Sequence, residues 1–325
     1  MKIKIGIIGL PNVGKSLLFN KLTKNNILSK NFFFSTIKEN ISYLKIYNKE
    51  YINLLKIIKP NKKYNKDIII IDLAGLIKNS YKGKGLGLKI LNKIQKVDII
   101  IHVIKLFNKK NIYNYYNNNY IDNINIIKEE LIKKDIFFLK KSKKEKNTKK
   151  YLNILNKNSY INKYLKNTNF KSNNYKGLIT NKPMLYLFNI NKNKFINKKK
   201  ILLSIKKEFN SNLGYYFLDI KNNKKKYYKF INYIYNFFKI KYCFTIKNKN
   251  ITLWLINNTL TIYNFSKKIH NFIFKNYLYA KIISYENFIL YKNINLLKKK
   301  KLIFLKKKNY IISNKDIIYI NFRKK

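Results

Sequence analysis

Residues 9–16 read Gly-Leu-Pro-Asn-Val-Gly-Lys-Ser, and this stretch decides the predicted fold. It fits the pattern G-x-x-x-x-G-K-[ST], in which the backbone N–H groups of a glycine-containing loop surround phosphates. In this pattern Lys15 reaches the outer phosphates and the Ser16 hydroxyl binds Mg²⁺. Apolar residues alternate with other residues over positions 2–8, as in a strand, and recur at helical spacing over positions 17–22. We therefore predict a strand, a triphosphate-binding loop and a helix rather than an ordinary glycine turn.

The composition indicates a globular chain with a basic surface. With 325 residues, 46% of them apolar, the chain can form two or three domains with a sizeable core. Its formal net charge of +57 would ordinarily indicate a nucleic-acid partner. Lysine is spread along the whole chain and Arg323 is the sole arginine, so the charge locates no binding patch. It permits a polyanionic partner such as ribosomal RNA.

The sequence also contains indications of the cellular compartment. The single cysteine, Cys243, excludes an internal disulfide and fits a reducing interior. The N-terminus leads straight into the phosphate loop without a signal-peptide pattern, and no run of 18 apolar residues occurs. We expect a cytoplasmic monomer without a membrane partner.

A second motif supports the first one. Residues 67–75 form an apolar strand that ends in D-x-x-G. In P-loop NTPases such a strand brings a carboxylate, here Asp72, to the water shell of the magnesium ion, and Gly75 lets a backbone N–H face the γ-phosphate. Thr36 follows Ser16 by twenty residues, where these enzymes carry a threonine that completes the magnesium shell. From the pattern alone, an ordinary strand-edge threonine is equally open.

The usual hydrolytic groups are missing near these motifs. Leu76 follows Gly75, at the place where Ras-like enzymes have the glutamine that orients the attacking water. The sole glutamine, Gln95, belongs to the next helix, and Arg323 is close to the C-terminus. Hydrolysis should therefore use another device or be slow. His102, within an apolar strand, is expected to be a core residue.

The rest of the chain indicates two further parts. Residues 120–139 and 151–165 have helical spacing and predict a helical hairpin with a lysine-rich tip at residues 140–150. The tip is either a solvated charge run or a contact for RNA phosphate. Beyond residue 240, we predict a small α+β module with a helix at residues 266–276, on which His270 is a surface or packing residue rather than a ligand. Its predicted strands are residues 242–247, 251–256, 282–284, 309–312 and 317–322.

Together these motifs resemble the Obg-like ATPase family, known in bacteria as YchF, within the Obg group of P-loop NTPases. The resemblance covers nearly the whole chain, and the order and spacing of the motifs make it specific. The stretches that carry it are residues 6–16 with 18–20, 31–37, 72–78, 82–87, His102 with Val103, Lys182 with Pro183 and Asn189, 280–288 and 309–317.

The resemblance implies an α/β fold: a P-loop NTPase domain whose mostly parallel sheet has helices on both faces, an inserted α-helical hairpin and a C-terminal β-grasp (TGS) domain. The implied boundaries are residues 1–110 with 181–228 for the nucleotide-binding domain, 111–180 for the hairpin and 239–325 for the TGS domain. It also implies Mg²⁺-dependent nucleotide hydrolysis and association with ribosomes.

Site residues follow from the resemblance by position. Phosphate binding is implied for the loop and the start of its helix, namely Asn12, Val13, Gly14, Lys15, Ser16 and Leu17. Magnesium binding is implied for Ser16 and Thr36. Catalysis is implied for Lys15, Gly75 and Leu76, with Leu76 the hydrophobic residue that this family has in place of glutamine. Nucleotide contacts are also implied for Asp72, Gly75, Asn189 and Ile190.

The chain departs from the family pattern at two places. Its base-reading stretch is Asn189-Ile190-Asn191-Lys192, whereas the family has an acid at the fourth position. Lysine has no acceptor for the N1 and N2 donors of guanine, so ATP is favoured and GTP is possible. The loop after Phe107 has Tyr113 and Asn114 near the place of a histidine in relatives. Two alternatives stay open: a GTP-specific ribosome assembly factor, and a nucleotide-binding module that docks on ribosomes with negligible turnover.

Overall fold

The structure of the protein is a computed structural model. It describes residues 3–23, 40–44, 49–65, 68–81, 85–106, 119–141, 148–161, 177–191, 197–209, 214–221, 224–247, 250–256 and 258–323. Residues 3–44 and 68–230 form one compact unit, called here the N-terminal unit. Residues 45–67 and 231–325 form a second, the C-terminal unit. Thr36, Lys192, Tyr113 and Asn114 lie outside the described residues.

The described residues form strands and helices along the whole chain. The strands are β1 (Ile3–Ile8), β2 (Asn40–Tyr43), β3 (Lys63–Asn65), β4 (Ile68–Asp72), β5 (Ile99–Lys105), β6 (Met184–Asn189), β7 (Gly214–Leu218), β8 (Lys241–Lys247), β9 (Asn250–Ile256), β10 (Tyr277–Ile283), β11 (Phe304–Lys306) and β12 (Ile317–Phe322). The helices are α1 (Lys15–Thr23), α2 (Lys49–Ile58), α3 (Leu86–Ile94), α4 (Tyr120–Lys141), α5 (Thr148–Asn156), α6 (Lys198–Phe209), α7 (Lys224–Phe237), α8 (Ile262–Ile269), α9 (Asn271–Lys275), α10 (Tyr285–Tyr291) and α11 (Ile294–Lys299).

The N-terminal unit is built on a six-stranded sheet with the order β2-β4-β1-β5-β6-β7. Strand β2 is antiparallel to β4, and the other neighbours are parallel. The inner strands are near-continuous apolar runs because a parallel sheet is covered on both faces. In β5, for example, the first six residues are all buried. This is the mostly parallel α/β sheet that the sequence predicts, and α4 and α5 contact each other as the predicted hairpin requires.

The C-terminal unit contains a mixed six-stranded sheet with the order β11-β10-β12-β8-β9-β3. Strands β12 and β8 are parallel, as are β3 and β9, and the remaining pairs are antiparallel. Its core is apolar and aromatic: Trp254 packs edge-on against Phe265 of α8, and Cys243 is buried as a small apolar residue.

The segment between β2 and β4 belongs to the C-terminal unit. Strand β3 pairs with β9, the Tyr51 ring of α2 stacks on Phe244, and the Tyr51 hydroxyl donates to the Tyr64 carbonyl. Glu50 and Lys315 form an ion pair at 3.0 Å. The chain therefore leaves the N-terminal sheet after β2 and returns to it at β4. The domain boundaries drawn from the sequence stay a prediction.

Three predicted elements differ from the structure. The single helix over residues 266–276 is wrong, because His270 is extended (φ −167°, ψ 141°) and separates α8 from α9. Its Nδ1 accepts from the Phe272 N–H and caps α9, so this exposed histidine has a local structural role. The strand over residues 309–312 is also wrong, since the structure has only an isolated bridge between Thr261 and Ile311.

The third difference concerns the end of the predicted hairpin. Helix α5 ends at Asn156, nine residues before the predicted end, and Asn158 has a left-handed backbone (φ 51°) that stops the helix. None of the helices within the described ranges is both long enough and apolar enough to span a membrane.

Candidate nucleotide-binding site

The loop of residues 9–14 lies at the carboxyl end of β1, between its two neighbours β4 and β5. The chain passes to one side of β1 to form β4 and to the other side to form β5. The carboxyl end of β1 is therefore a topological switch point, where open α/β sheets bind ligands. Helix α1 begins at Lys15, and the N-terminal end of a helix favours anions. The place of the loop at the end of β1 and the partial positive charge at the start of α1 both favour phosphate binding.

Two glycines permit the backbone conformation and the close packing of this loop. Gly9 has φ 150°, and an added Cβ would lie 2.6 Å from the Val103 carbonyl oxygen on β5. Gly14 has φ 103°, and an added Cβ would lie 2.7 Å from the side-chain nitrogen of Asn189 on β6. Asn12 also has a positive φ of 62°, which asparagine tolerates. The glycines of the motif are thus required by backbone angle and by close packing on two strands.

Lys15 is a buried cation at the end of this loop. Its side chain is 7% exposed, and Nζ donates to the Leu10 carbonyl oxygen at 2.7 Å. Burial lowers the pKa of Lys15 to about 8, and the negative charge of Asp72 opposes that shift. The amino group therefore turns back onto the loop, on the side where the motif predicts phosphate.

Asp72 ends β4, and its partner in the register is Ile7 of β1. The side chain is 1% exposed, and neither carboxylate oxygen accepts a hydrogen bond of normal geometry from the described residues. Burial raises the pKa of Asp72, while the nearby Ser16, Lys15 and Asn40 oppose that rise. A buried carboxylate without a hydrogen bond costs free energy unless a cation or solvated ligand reaches it.

The loop after β4 is held against the phosphate loop. The Leu76 N–H donates to the Gly9 carbonyl oxygen at 3.2 Å. An added Cβ at Gly75 would lie 2.7 Å from the Pro11 nitrogen, so the two loops approach more closely there than a side chain permits. The Leu76 side chain is completely buried and cannot orient a water molecule in this conformation.

The end of β6 supports the phosphate loop from the other side. The Asn189 side-chain amide donates to the Val13 carbonyl oxygen at 3.0 Å and accepts from the Ile220 N–H at 3.4 Å. The Ile190 N–H donates to the Leu218 carbonyl oxygen. The structure thus brings Asn189 beside residues 13 and 14, and the Asn189 amide is already engaged by the protein.

His102 lies in the core of β5, paired in register with Ile8 and Tyr186. Its ring is 5.4 Å from that of Tyr186, and burial together with the charge of Lys15 lowers its pKa to about 3. His102 is therefore neutral and inaccessible, as expected for a core residue. Gln95 caps the C-terminal end of α3, away from the first turn where Gly87 meets Ser80. Arg323 is an exposed residue of the C-terminal unit.

Sequence reasoning missed the contacts of two charged residues that hold this unit together, the buried Asp135 and the half-buried Lys182. Asp135 of α4 accepts from the N–H groups of Ile179 and Thr180, and burial raises its pKa to about 6. Lys182 donates to the carbonyls of Ile94, Gln95 and Val97 at the C-terminal end of α3. No local pattern indicates the role of Lys182, because its carbonyl partners lie 85 to 88 residues earlier in the chain.

Two family models and many known proteins match this chain. The family described as "50S ribosome-binding GTPase" matches residues 4–157, and YchF-GTPase_C, described as a protein of unknown function (DUF933), matches residues 240–323. The chain is 32% identical to the ribosome-binding ATPase YchF of Buchnera aphidicola subsp. Baizongia pistaciae, over 98% of this chain and 99% of that protein. It is 29% identical to Obg-like ATPase 1 of Xenopus laevis, over 98% of this chain and 92% of that protein.

A solved structure shares the fold. The YchF GTPase of Schizosaccharomyces pombe has a TM-score of 0.75 at 21% identity, with 98% of both chains covered. Its similarity extends over both sheets, so the fold class predicted from the sequence is confirmed: a mostly parallel P-loop sheet with a second, mixed-sheet domain.

The pKa of Lys15 leads to a prediction about proton uptake. With a pKa of about 8, the free amino group is about half protonated at about pH 8. A bound triphosphate would place negative charge beside it and raise that pKa. With MgATP as the probe, we therefore expect uptake of about half a proton per bound nucleotide at about pH 8. Calorimetry in buffers of different ionisation enthalpy measures it.

The matched control is the same titration at about pH 6.5, where Lys15 is already protonated and little uptake is expected. Equal uptake at the two pH values, or none at the higher one, contradicts this account of Lys15.

Proposed function

The chain belongs to the Obg-like ATPase (YchF) family, and we propose that it is a Mg²⁺-dependent P-loop ATPase that associates with ribosomes. The observation that carries the proposal is the juxtaposition of the buried Lys15 and Asp72 at the carboxyl end of a parallel sheet. Relatives matched over nearly their whole length are named ribosome-binding ATPases. The whole-chain match makes transfer of the activity reasonable, because both units are present.

Phosphate binding is assigned to the loop and the start of α1. Residues 12–17 would surround the β- and γ-phosphates with backbone N–H groups. Lys15 would exchange the Leu10 carbonyl, which it contacts at 2.7 Å, for phosphate oxygens. Because that exchange replaces a neutral partner by an anionic one, it strengthens the interaction of Lys15.

The residues present fit a magnesium ion. Asp72 has two buried oxygens without a normal hydrogen bond, and the Ser16 hydroxyl is close enough to influence its pKa. Oxygen donors of this kind suit Mg²⁺, which takes its other ligands from phosphate and water. Ser16 would bind the ion, Asp72 would bind its water shell, and Thr36 is the third proposed contact. The ion, when bound, supplies charge neutralisation at the transferring phosphoryl group.

Hydrolysis would depend on positioning and electrostatics. Lys15 and the loop N–H groups, including that of Gly75, would stabilise charge on the phosphoryl group while water attacks in line. Leu76 would act only by packing, because its side chain is completely buried. With no glutamine after Asp72-x-x-Gly and no arginine besides Arg323, intrinsic turnover should be low until a partner or a monovalent cation assists.

ATP is proposed as the preferred nucleotide. The base-reading stretch has Lys192 where an acid would accept from guanine, and the Asn189 amide is engaged with Val13 and Ile220. Adenine needs no carboxylate acceptor at that position. The names of relatives are divided between ATPase and GTPase, so competition between the two nucleotides is the deciding experiment.

The complete burial of Leu76 also favours a second candidate, a nucleotide-binding module that docks on ribosomes and turns over negligibly. It shares the site with the ATPase and differs in the rate of the chemical step. Single-turnover hydrolysis on ribosomes separates the two, because only the ATPase forms ADP there.

A lysine pair on one helix tests the ATPase proposal. We expect Lys15→Ala to lower the rate of ATP hydrolysis at least about a hundredfold, because it removes the cation that meets the phosphates. Lys21→Ala is the matched control, since Lys21 is an exposed residue on the same helix. Phosphate release with and without ribosomes measures both. Equal rates for Lys15→Ala and the unmodified protein would exclude the mechanism.

The ribosome proposal predicts a strong salt dependence. Contacts between lysines and RNA phosphates release counterions, so the logarithm of the association constant should fall linearly with the logarithm of salt concentration. Co-sedimentation with ribosomes over a series of KCl concentrations measures the slope. Excess transfer RNA is the control for non-specific binding by this basic chain. Loss of all ribosome binding to that competitor would speak against a specific site.

A further inference from the structure

Glu130 of α4 is a buried carboxylate that the nucleotide site described above does not use. It is 1% exposed, whereas the side chain of its neighbour Glu129 is 44% exposed. One Glu130 oxygen accepts from the Asn79 N–H at 2.7 Å, and the other accepts from the Tyr81 N–H at 2.9 Å. The carboxylate thus bridges two N–H groups of a backbone turn that lies between β4 and α3.

That turn is closed by its own hydrogen bonds, and the Ser80 N–H donates to the Ile77 carbonyl oxygen at 3.3 Å. The Ser80 hydroxyl donates to the Ile77 carbonyl and accepts from the Ile77 N–H, which closes the turn on itself. Asn79 has a left-handed backbone with φ 68°. The buried Ser80 packs on Gly87 of α3, where an added Cβ would lie 2.7 Å from Ser80. The buried carboxylate of Glu130 accepts from two further N–H groups of this turn at once, those of Asn79 and Tyr81.

The turn directly follows the residues that meet the phosphate loop. Leu76 precedes Ile77 in the chain, and its N–H is bonded to the Gly9 carbonyl oxygen. Gly75 is packed on Pro11. A short and continuous path therefore runs from the Glu130 carboxylate through residues 77–81 to the segment whose N–H would face the γ-phosphate.

Neighbouring contacts keep α4 in place beside this turn. Lys134 donates to the Asn92 side chain of α3 at 2.7 Å, and the Lys133 amino group lies 5.1 Å from the centre of the Tyr81 ring. Burial raises the pKa of Glu130, and the two N–H groups and Lys133 oppose that rise. The carboxylate is thus held by α4 and directed at the turn.

We propose that Glu130 is a positioning residue for the γ-phosphate step, which it serves by holding the turn 77–81 and thereby the Gly75–Leu76 segment beside the phosphate loop. This rests on the proposed ATPase function. The same contact makes α4, within the predicted hairpin, a direct support of the segment that senses the γ-phosphate. ADP lacks that phosphate, so its binding should not depend on Glu130.

The test compares Glu130→Gln with Glu129→Gln. Glutamine keeps the size of the side chain but turns an NH₂ group towards one of the two backbone N–H groups, which breaks that hydrogen bond. We expect Glu130→Gln to lower kcat at least about tenfold while the Kd for ADP stays within about twofold. Glu129→Gln removes a partly exposed ion pair with Lys133 but leaves both backbone hydrogen bonds of Glu130 in place, so it should leave both quantities unchanged.

A purely structural role would give a different pattern. In a folded Glu130→Gln protein, an equal loss of kcat and of ADP affinity would overturn the proposal, as would a kcat equal to that of Glu129→Gln. If Glu130→Gln does not fold, Ser80→Ala opens the same turn from within and should produce the same selective loss of kcat. Unchanged kcat in Ser80→Ala would then contradict the proposal.

The proposed function and this inference can fail separately. If the unmodified protein binds ATP without hydrolysing it, the readout becomes the affinity for a non-hydrolysable ATP analogue relative to ADP. A selective loss of analogue affinity in Glu130→Gln supports the positioning role even then. An unchanged ratio of the two affinities overturns it, whatever the turnover of the unmodified protein.

Discussion

The close approach of the phosphate loop to its neighbouring strands is the constraint on which the rest of the site depends. Gly9 lies against the Val103 carbonyl and Gly14 against the Asn189 amide, in each case nearer than a side chain permits. Both residues also have backbone angles that L-residues rarely adopt. These contacts set the direction in which the loop leaves β1 and enters α1. They therefore determine where Lys15 and Ser16 begin the helix.

Two charged side chains are buried around that loop, although burial disfavours the charged form of each. Lys15 is a cation held by one carbonyl, and Asp72 is a carboxylate without a normal hydrogen bond among the described residues. Each of these costs stability in the free protein, and each is relieved by a triphosphate with a hydrated divalent cation. These two charges therefore lower the stability of the free protein and increase its affinity for the nucleotide. By contrast, the buried carboxylate of Asp135 accepts from three donors of Ile179 and Thr180.

The parts that could be predicted from the sequence are those encoded by local patterns. The apolar runs of β1, β4 and β5 and the glycine spacing of residues 9–14 specify a strand, a loop and a helix without reference to the rest of the chain. Asp72 could be placed because it ends an apolar strand. The role of Glu130 could not, because its partners are backbone groups 49 and 51 residues earlier in the chain. Its position three residues after Ile127, on the apolar side of α4, was the available sign.

Other differences have similar causes. Apolar residues recur at helical spacing through residues 266–276. The side chain of His270, however, accepts from the Phe272 N–H and caps the start of α9, so the segment forms two helices instead of one. The pairing of β3 with β9 joins residues almost 190 positions apart, a relation that no local pattern carries.

The most direct measurement is a structure of the protein with Mg²⁺ and a non-hydrolysable ATP analogue. The account predicts that the Lys15 amino group leaves the Leu10 carbonyl for the phosphates. It also predicts that the Ser16 hydroxyl contacts the metal, with the Asp72 carboxylate facing the metal's water shell. A nucleotide bound elsewhere, or bound at this loop while Lys15 remains on Leu10 and Asp72 stays without a partner, would contradict it.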